Sequence, residues 1–293
     1  MGQISSAADD VLLNATGDSK LAVDNSADGK IIAGKGAVIH AVSVNNQKGS
    51  IDAEKIDLQS DNVNNQSGAI RANQQLNAQI SQQLQNQNGI LGSSGQLYLN
   101  ANGKQRASID NTAGKIIAGK EAVIVATGLN NQQGSIDTDS LLLQADSVNN
   151  NSGAIRTNKE LTTQLKEQLD NRNGLISGGT EVAINAGTDS DIGVDNSGEG
   201  KIVAGKQAII HAASVNNQQG SIDAENIELQ AENVNNQSGA IRANKKLNAR
   251  INQIWITAKG RSAVQKMFRF TTRMATTCTL TTAVMAKYLL VMT

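Results

Sequence analysis

Asparagine recurs at one fixed place in a series of short units, and that recurrence limits the chain to architectures built by stacking. The residues are Asn25, Asn46, Asn65, Asn86, Asn111, Asn131, Asn150, Asn171, Asn196, Asn217 and Asn236. Each stands two positions after an aliphatic residue, from Val23 and Val44 to Val215 and Val234. Successive intervals are 21, 19, 21, 25, 20, 19, 21, 25, 21 and 19 residues. A unit of about 20 residues cannot bury its own apolar face, so it must bury that face against its neighbours. The order of the intervals also shows a larger period of four units, about 86 residues. Val44-Asn-Asn-Gln-Lys-Gly-Ser-Ile51 returns as Leu129-Asn-Asn-Gln-Gln-Gly-Ser-Ile136 and again as Val215-Asn-Asn-Gln-Gln-Gly-Ser-Ile222, as duplication of a four-unit block would produce.

Within a unit the spacing is that of β-structure. A glycine follows each asparagine, usually three residues on: Gly49, Gly68, Gly89, Gly114, Gly134, Gly153, Gly174, Gly220 and Gly239, with Gly29 and Gly200 one residue later. Two residues past the glycine comes an aliphatic, such as Ile31, Ile51 or Ile70, and two further a small residue, such as Ala33, Ala53 or Ala72. Period-two alternation is the strand signature. A second alternating run closes the unit, as in Ile56-x-Leu58, Leu97-x-Leu99, Leu141-x-Leu143 and Ile227-x-Leu229. Each unit thus reads as turn, strand, corner, strand. The competing pattern is helical: Leu76, Ile80 and Leu84, or Leu161, Leu165 and Leu169, have i, i+4, i+8 spacing. Ala78 nevertheless fits the strand pattern, and the remaining units have no 3.6 period, so strand is preferred.

Equivalent residues one coil apart in a parallel β-helix lie about 4.8 Å from one another. The asparagines are then expected to form a side-chain amide ladder, each donating to the next. The glycines are expected to take positive φ at a corner where a Cβ would clash. The chain has no proline, which suits strands whose every N–H is needed. The expected fold is all-β, a parallel β-helix of about eleven coils in four-coil superrepeats.

The sequence changes character after residue 253. Residues 254–293 carry Lys259, Arg261, Lys266, Arg269, Arg273 and Lys287 with no acid, leaving 20 basic and 26 acidic residues in 1–253. Trp255, Phe268, Phe270, Tyr288 and the lone Cys278 also fall there. Ile254-Trp-Ile-Thr-Ala-Lys-Gly260 can be encoded so that skipping two bases yields Leu-Asp-Asn-Arg-Lys-Gly, close to Leu169-Asp-Asn-Arg-Asn-Gly174. The expectation is a single-base frameshift just before Ile254, with 254–293 lacking selected structure. The apolar stretch Met274–Thr293 would then be an accident of frame rather than a membrane helix. The start, Met-Gly-Gln-Ile-Ser, has neither a basic nor an apolar signal-peptide region. Ile4, Val11 and Leu13 fit the fourth-coil pattern, as in an internal fragment of a longer gene.

Units of the form Asn-Asn-x-x-Gly-x-Ile-x-Ala over 1–253 resemble the repeats of filamentous-haemagglutinin-like exoproteins of the two-partner secretion class. That class includes adhesins and the stalks of contact-dependent growth inhibition toxins. The resemblance implies a right-handed parallel β-helix, export of a full-length parent through an outer-membrane partner transporter, and display at the cell surface toward a host or neighbouring cell. Against that pattern, no signal sequence, N-terminal secretion domain or recognisable C-terminal toxin is expected within these residues, in keeping with an internal fragment. Three readings follow: a structural and adhesive segment, the stalk of a toxin encoded downstream, or a remnant of a broken gene.

Chemistry is sparse. His40 and His211 are the only histidines and occupy equivalent places, with Val125 in the place between. A position that accepts valine points to structure rather than catalysis. Asp189-Ser-Asp191 lacks the regular Gly-Asp spacing of calcium-binding β-rolls and reads as an exposed corner. Gly34-Lys35, Gly119-Lys120 and Gly205-Lys206 lack the full phosphate-loop spacing. Polysaccharide lyases also use parallel β-helices, but they cluster acids and bases beside aromatics, and Tyr98 is the lone aromatic before residue 254. The expectation is therefore no enzyme, no cofactor and no metal, and, without a clustered basic face, no nucleic acid.

Overall fold

The computed structural model describes residues 2–14, 20–186, 190–256, 261–264, 267–271 and 278–279. All regular secondary structure among them is β-strand, and every register that can be traced is parallel. The chain forms two compact units, 1–145 and 146–293. Each is a β-solenoid in which a strand pairs with its counterpart one coil later.

In the first unit, strand Ser50–Asn64 lies against strand Ala69–Gln85 with Ile51 opposite Ile70, Ile56 opposite Leu76, Leu58 opposite Ala78 and Val63 opposite Leu84. Like residues therefore stack in columns. Ile31, Ile51, Ile70, Leu91, Ile116 and Ile136 form one such column and are all buried. In the second unit Ile155, Ile176, Ile202, Ile222 and Ile241 do the same. Full burial of one such side chain is worth about 1.5–3 kcal/mol, and the column repeats it at every coil. Strand Ser50–Asn64 carries both alternating runs, Ile51-x-Ala53 and Ile56-x-Leu58, and buries both apolar sets.

Leu76, Ile80 and Leu84 belong to one strand, Ala69–Gln85, and Leu161, Leu165 and Leu169 to strand Glu160–Asp170, so neither set is helical. Leu76 to Ile80 is plain strand alternation with Ala78 buried between them, and the step from Ile80 to Leu84 has a local cause. Ser60 pairs with Ile80 but Asn62 pairs with Gln83, so this coil carries an extra residue at its corner. That residue lengthens the three-residue inward step from Ser60 to Val63 into the four-residue step from Ile80 to Leu84, and all four side chains are buried.

The described backbone continues past residue 253. Strand Ala240–Ile256 sets Trp255 opposite Val234, and strands Arg261–Val264, Met267–Thr271 and Cys278–Thr279 pair with it in parallel. Ser262 occupies the register of Ile241, and Phe268 that of Leu247. The rest of the expected tail, including almost all of Met274–Thr293, lies outside the described residues. Among the described residues no helix is long and apolar enough to cross a membrane.

Candidate functional site

The feature that recurs in every coil is its turn. Asn46 to Gly49 shows the pattern: the Gly49 N–H donates to the Asn46 carbonyl at 3.0 Å and closes a four-residue turn. The residue before, Asn45, accepts the Gln47 N–H on its side-chain oxygen, an Asx turn that orients the corner. Asp24, Asp110, Asp170 and Asp195 take that place in other coils. The hydrogen bonds of the Ser26 side chain and N–H hold the Asp24 carboxyl below its ordinary range.

The corner glycines do not take positive φ, contrary to the sequence expectation. The positive φ falls one residue earlier, on Lys48 (59°), Ser67 (53°), Asn88 (54°), Ala113 (53°), Gln133 (56°) and Gln219 (60°). The glycine is required because of the coil before it. A Cβ built on Gly49 would stand 1.9 Å from the carbonyl oxygen of Asn25, and one on Gly114 2.1 Å from that of Asn86. The Gly89, Gly134, Gly174 and Gly220 corners are equally crowded. In the longer turns Gly200 would meet the Asn171 carbonyl oxygen of the coil before at 2.6 Å, whereas Gly29 would meet the Asn25 carbonyl oxygen of its own turn at 2.6 Å. Crowding against a neighbouring carbonyl, from the coil before at every one of these corners but Gly29, and not backbone handedness, selects glycine here.

Beneath the turn the asparagine side chains are buried and joined. In the first unit Nδ2 of Asn25 donates to Oδ1 of Asn46, Asn46 to Asn65, Asn65 to Asn86, Asn86 to Asn111 and Asn111 to Asn131, each at 2.7 Å. In the second unit Asn150, Asn171, Asn196, Asn217 and Asn236 form the same series at 2.6–2.7 Å. The second amide proton reaches a carbonyl of the next coil, as from Asn25 to Ser50 at 2.9 Å and from Asn196 to Ser221 at 3.0 Å. The same asparagines also use their backbone: the Asn46 N–H donates to the Asn64 carbonyl at 2.7 Å. A buried primary amide is tolerated because its donors and acceptor are used.

Two further asparagines escaped the sequence reading. Asn100 and Asn185 are buried and have positive φ, at 53° and 49°. Oδ1 of Asn100 accepts the Ile80 N–H at 2.7 Å, and its Nδ2 donates to the Val125 carbonyl at 3.3 Å. Oδ1 of Asn185 accepts the Leu165 N–H at 2.7 Å, and its Nδ2 donates to the Leu165 carbonyl at 2.7 Å. Each stands where a long coil leaves the sheet, so its amide takes the backbone's place against the preceding coil. The available signal was Leu99-Asn-Ala101 returning as Ile184-Asn-Ala186.

The remaining candidates are scattered. His40 Nε2 lies 3.7 Å from Asp57 Oδ2, and His211 Nε2 3.8 Å from Glu228 Oε1. Gly34, Gly119 and Gly205, from the Gly-Lys pairs, are corners where a Cβ would approach a preceding carbonyl to 2.0–2.3 Å. Asp189 lies outside the described residues, and Asp191 is exposed. Among the described residues no group of three or more His, Cys, Asp or Glu side chains could hold a metal ion.

A parallel β-solenoid whose corners are stacked Asn-to-Gly turns is a repeat scaffold. Overlapping segments of this chain, residues 6–62, 55–106, 92–143, 138–192, 188–247 and 226–261, match the model of the haemagglutinin repeat. The chain belongs to the haemagglutinin repeat family, as a filamentous-haemagglutinin-like repeat region. No curated protein and no solved structure matches it.

Proposed function

We propose that the chain is a structural and adhesive rod segment of a secreted bacterial surface exoprotein. The observation that carries this reading is the asparagine ladder. Its amides bond to one another and to backbone at every coil of each unit, so the buried polar groups serve stacking. What varies from coil to coil is the outward surface, which is where recognition would lie. The role is non-catalytic. Membership of the haemagglutinin repeat family supports secretion or surface display of the parent, and its proposed export partner is an outer-membrane two-partner transporter. The contact would be a host or neighbouring cell surface.

The test is attachment. Beads coated with the full chain should capture epithelial or bacterial cells in a saturable manner, and soluble chain should compete. Beads that capture no more cells than uncoated ones would overturn the adhesive half of the reading and leave the chain a stalk.

A further inference from the structure

One outward column of the first unit has an order that complements itself when inverted. Register places Ser5, Ile32, Asp52, Arg71, Gly92 and Ile117 in line, one residue per coil. Read from one end the classes run small, aliphatic, acid, base, small, aliphatic; read from the other they run aliphatic, small, base, acid, aliphatic, small, so each class meets its complement. Ile32 and Ile117 are 37% and 38% exposed, which is unusual for isoleucine here, and they flank a shallow recess whose floor is Gly92. Between them Arg71 donates through Nε and Nη2 to the two oxygens of Asp52, at 2.7 and 3.1 Å. That pairing uses two of the five guanidinium N–H donors.

We propose that this face pairs with the same face of a second copy of the chain, with the two solenoid axes opposed. A two-fold axis parallel to the strands, passing between the levels of Asp52 and Arg71, sends each level to its mirror level. Asp52 then meets the other copy's Arg71, Ile32 enters the recess over its Gly92, and Ile117 lies over its Ser5. Each contact occurs twice, as an isologous interface requires. Every charge on the column meets its opposite and every large apolar side chain meets a small residue. The recess can accept a side chain, because a Cβ at Gly92 would meet nothing closer than 3.9 Å. The adjoining column obeys the same symmetry without opposing like charges: Lys30 comes to the level of Ile90, and Lys115 to that of Gln3.

The face is six coils long at about 4.8 Å each and about four residues wide at ~3.3 Å, roughly 400 Å². That is half the ~800 Å² per partner of a standard interface, so the dimer is a weak one. It does not depend on any role in attachment, since it involves only this chain.

Charge reversal distinguishes this geometry from any other association. The Asp52→Arg/Arg71→Asp double variant keeps the ion pair within each copy and keeps the face complementary to itself. Against wild type, however, it sets Arg beside Arg and Asp beside Asp. Sedimentation of the full chain, in a series reaching about millimolar concentration, should show dimer for wild type and for the double variant. Native mass spectrometry of an isotope-labelled mixture should show the hybrid dimer at less than a fifth of its statistical share. Gly92→Val, which fills the recess at a position with ordinary φ, should stay monomeric with an unchanged circular dichroism spectrum. A wild-type chain monomeric throughout, a hybrid at its statistical share, or a Gly92→Val protein that dimerises like wild type would each overturn the proposal. Should Gly92→Val misfold, the hybrid share decides alone.

Discussion

Nδ2 of Asn86 donates to Oδ1 of Asn111 at 2.7 Å, across 25 residues of sequence, and both side chains are buried. Asn86 also accepts from Asn65 at 2.7 Å and donates to the Lys115 carbonyl at 3.2 Å. Its replacement by alanine would strand one donor of Asn65 and the acceptor of Asn111. At about 1–3 kcal/mol for each unsatisfied buried group, Asn86→Ala should cost about 2–5 kcal/mol. Asn86→Asp should cost more at neutral pH, because it points a carboxylate at the Asn111 and Lys115 oxygens, and should recover partly in acid when the carboxyl can donate. Coils in a solenoid interact only with their neighbours. Hydrogen exchange should therefore quicken first around residues 65–111. Uniform loss of protection, or none, would mean that the amide series does not hold the coils together.

The glycine corner makes two neighbouring residues respond in opposite directions. Ala113 has φ of 53°, and Gly114 sits where a Cβ would come 2.1 Å from the Asn86 carbonyl oxygen. Left-handed backbone costs a non-glycine residue roughly 1–2 kcal/mol, part of which glycine returns as unfolded-chain entropy. Ala113→Gly should thus be neutral to stabilising by up to about 1 kcal/mol. Gly114→Ala should be destabilising by several-fold that amount, on the order of 3 kcal/mol or more. Thermal melts of the two variants check the order. If Gly114→Ala were the milder change, the crowding account of this corner would fail.

Loss of Asn100 should act on a different part of the coil. Its amide bridges the Ile80 N–H and the Val125 carbonyl where the chain departs from the sheet. Asn100→Ala leaves both backbone groups without that partner, at a cost of about 2–4 kcal/mol. Asn100→Asp retains the acceptor for Ile80 and should cost less at that N–H. Exchange of the Ile80 amide proton is the readout: fast in Asn100→Ala and still protected in Asn100→Asp.

These residues differ in how far the sequence revealed them. The Asn25-to-Asn236 series and the Ile51-to-Ile70 column repeat in every coil, and any repeat of that length must stack, so fold and ladder positions were legible from spacing. The reason for Gly49 was not. Both a positive φ and a crowded Cβ demand glycine, and only the Asn25 carbonyl of the coil before tells them apart. Asn100 and Asn185 occur once per four coils, too rarely for a coil-by-coil reading, and their partners lie 20 residues back. The spacing of Leu76, Ile80 and Leu84 mimicked a helix because four residues are also two strand repeats, as from Leu76 through Ala78 to Ile80, and a one-residue corner insertion gives the step to Leu84 the same length. Outward pairs such as Asp52 with Arg71 become visible only when the register is known.

Acid should weaken the second unit in part through Asp170. Burial is the largest single influence on this carboxyl and draws its pKa upward. The hydrogen bonds from the Arg172 side chain and N–H, with the Arg172 charge, together outweigh burial and leave it below the ordinary carboxylate range. Arg172 Nη2 lies 2.6 Å from Oδ2 and Nε 3.0 Å from Oδ1. A group whose pKa is lower folded than unfolded stabilises above its unfolded value, and that contribution is lost as pH falls through the folded one. The Asp170→Asn variant should therefore melt below wild type at neutral pH. The gap should narrow below the ordinary carboxylate range and close once the folded carboxyl is protonated. Asp24, also held low, adds acid sensitivity to both proteins and cancels in the comparison. Melting series from pH 7 to pH 2 on the two proteins give the result directly. A gap that stayed constant with pH would show that Asp170 contributes through packing or turn geometry and not through its charge.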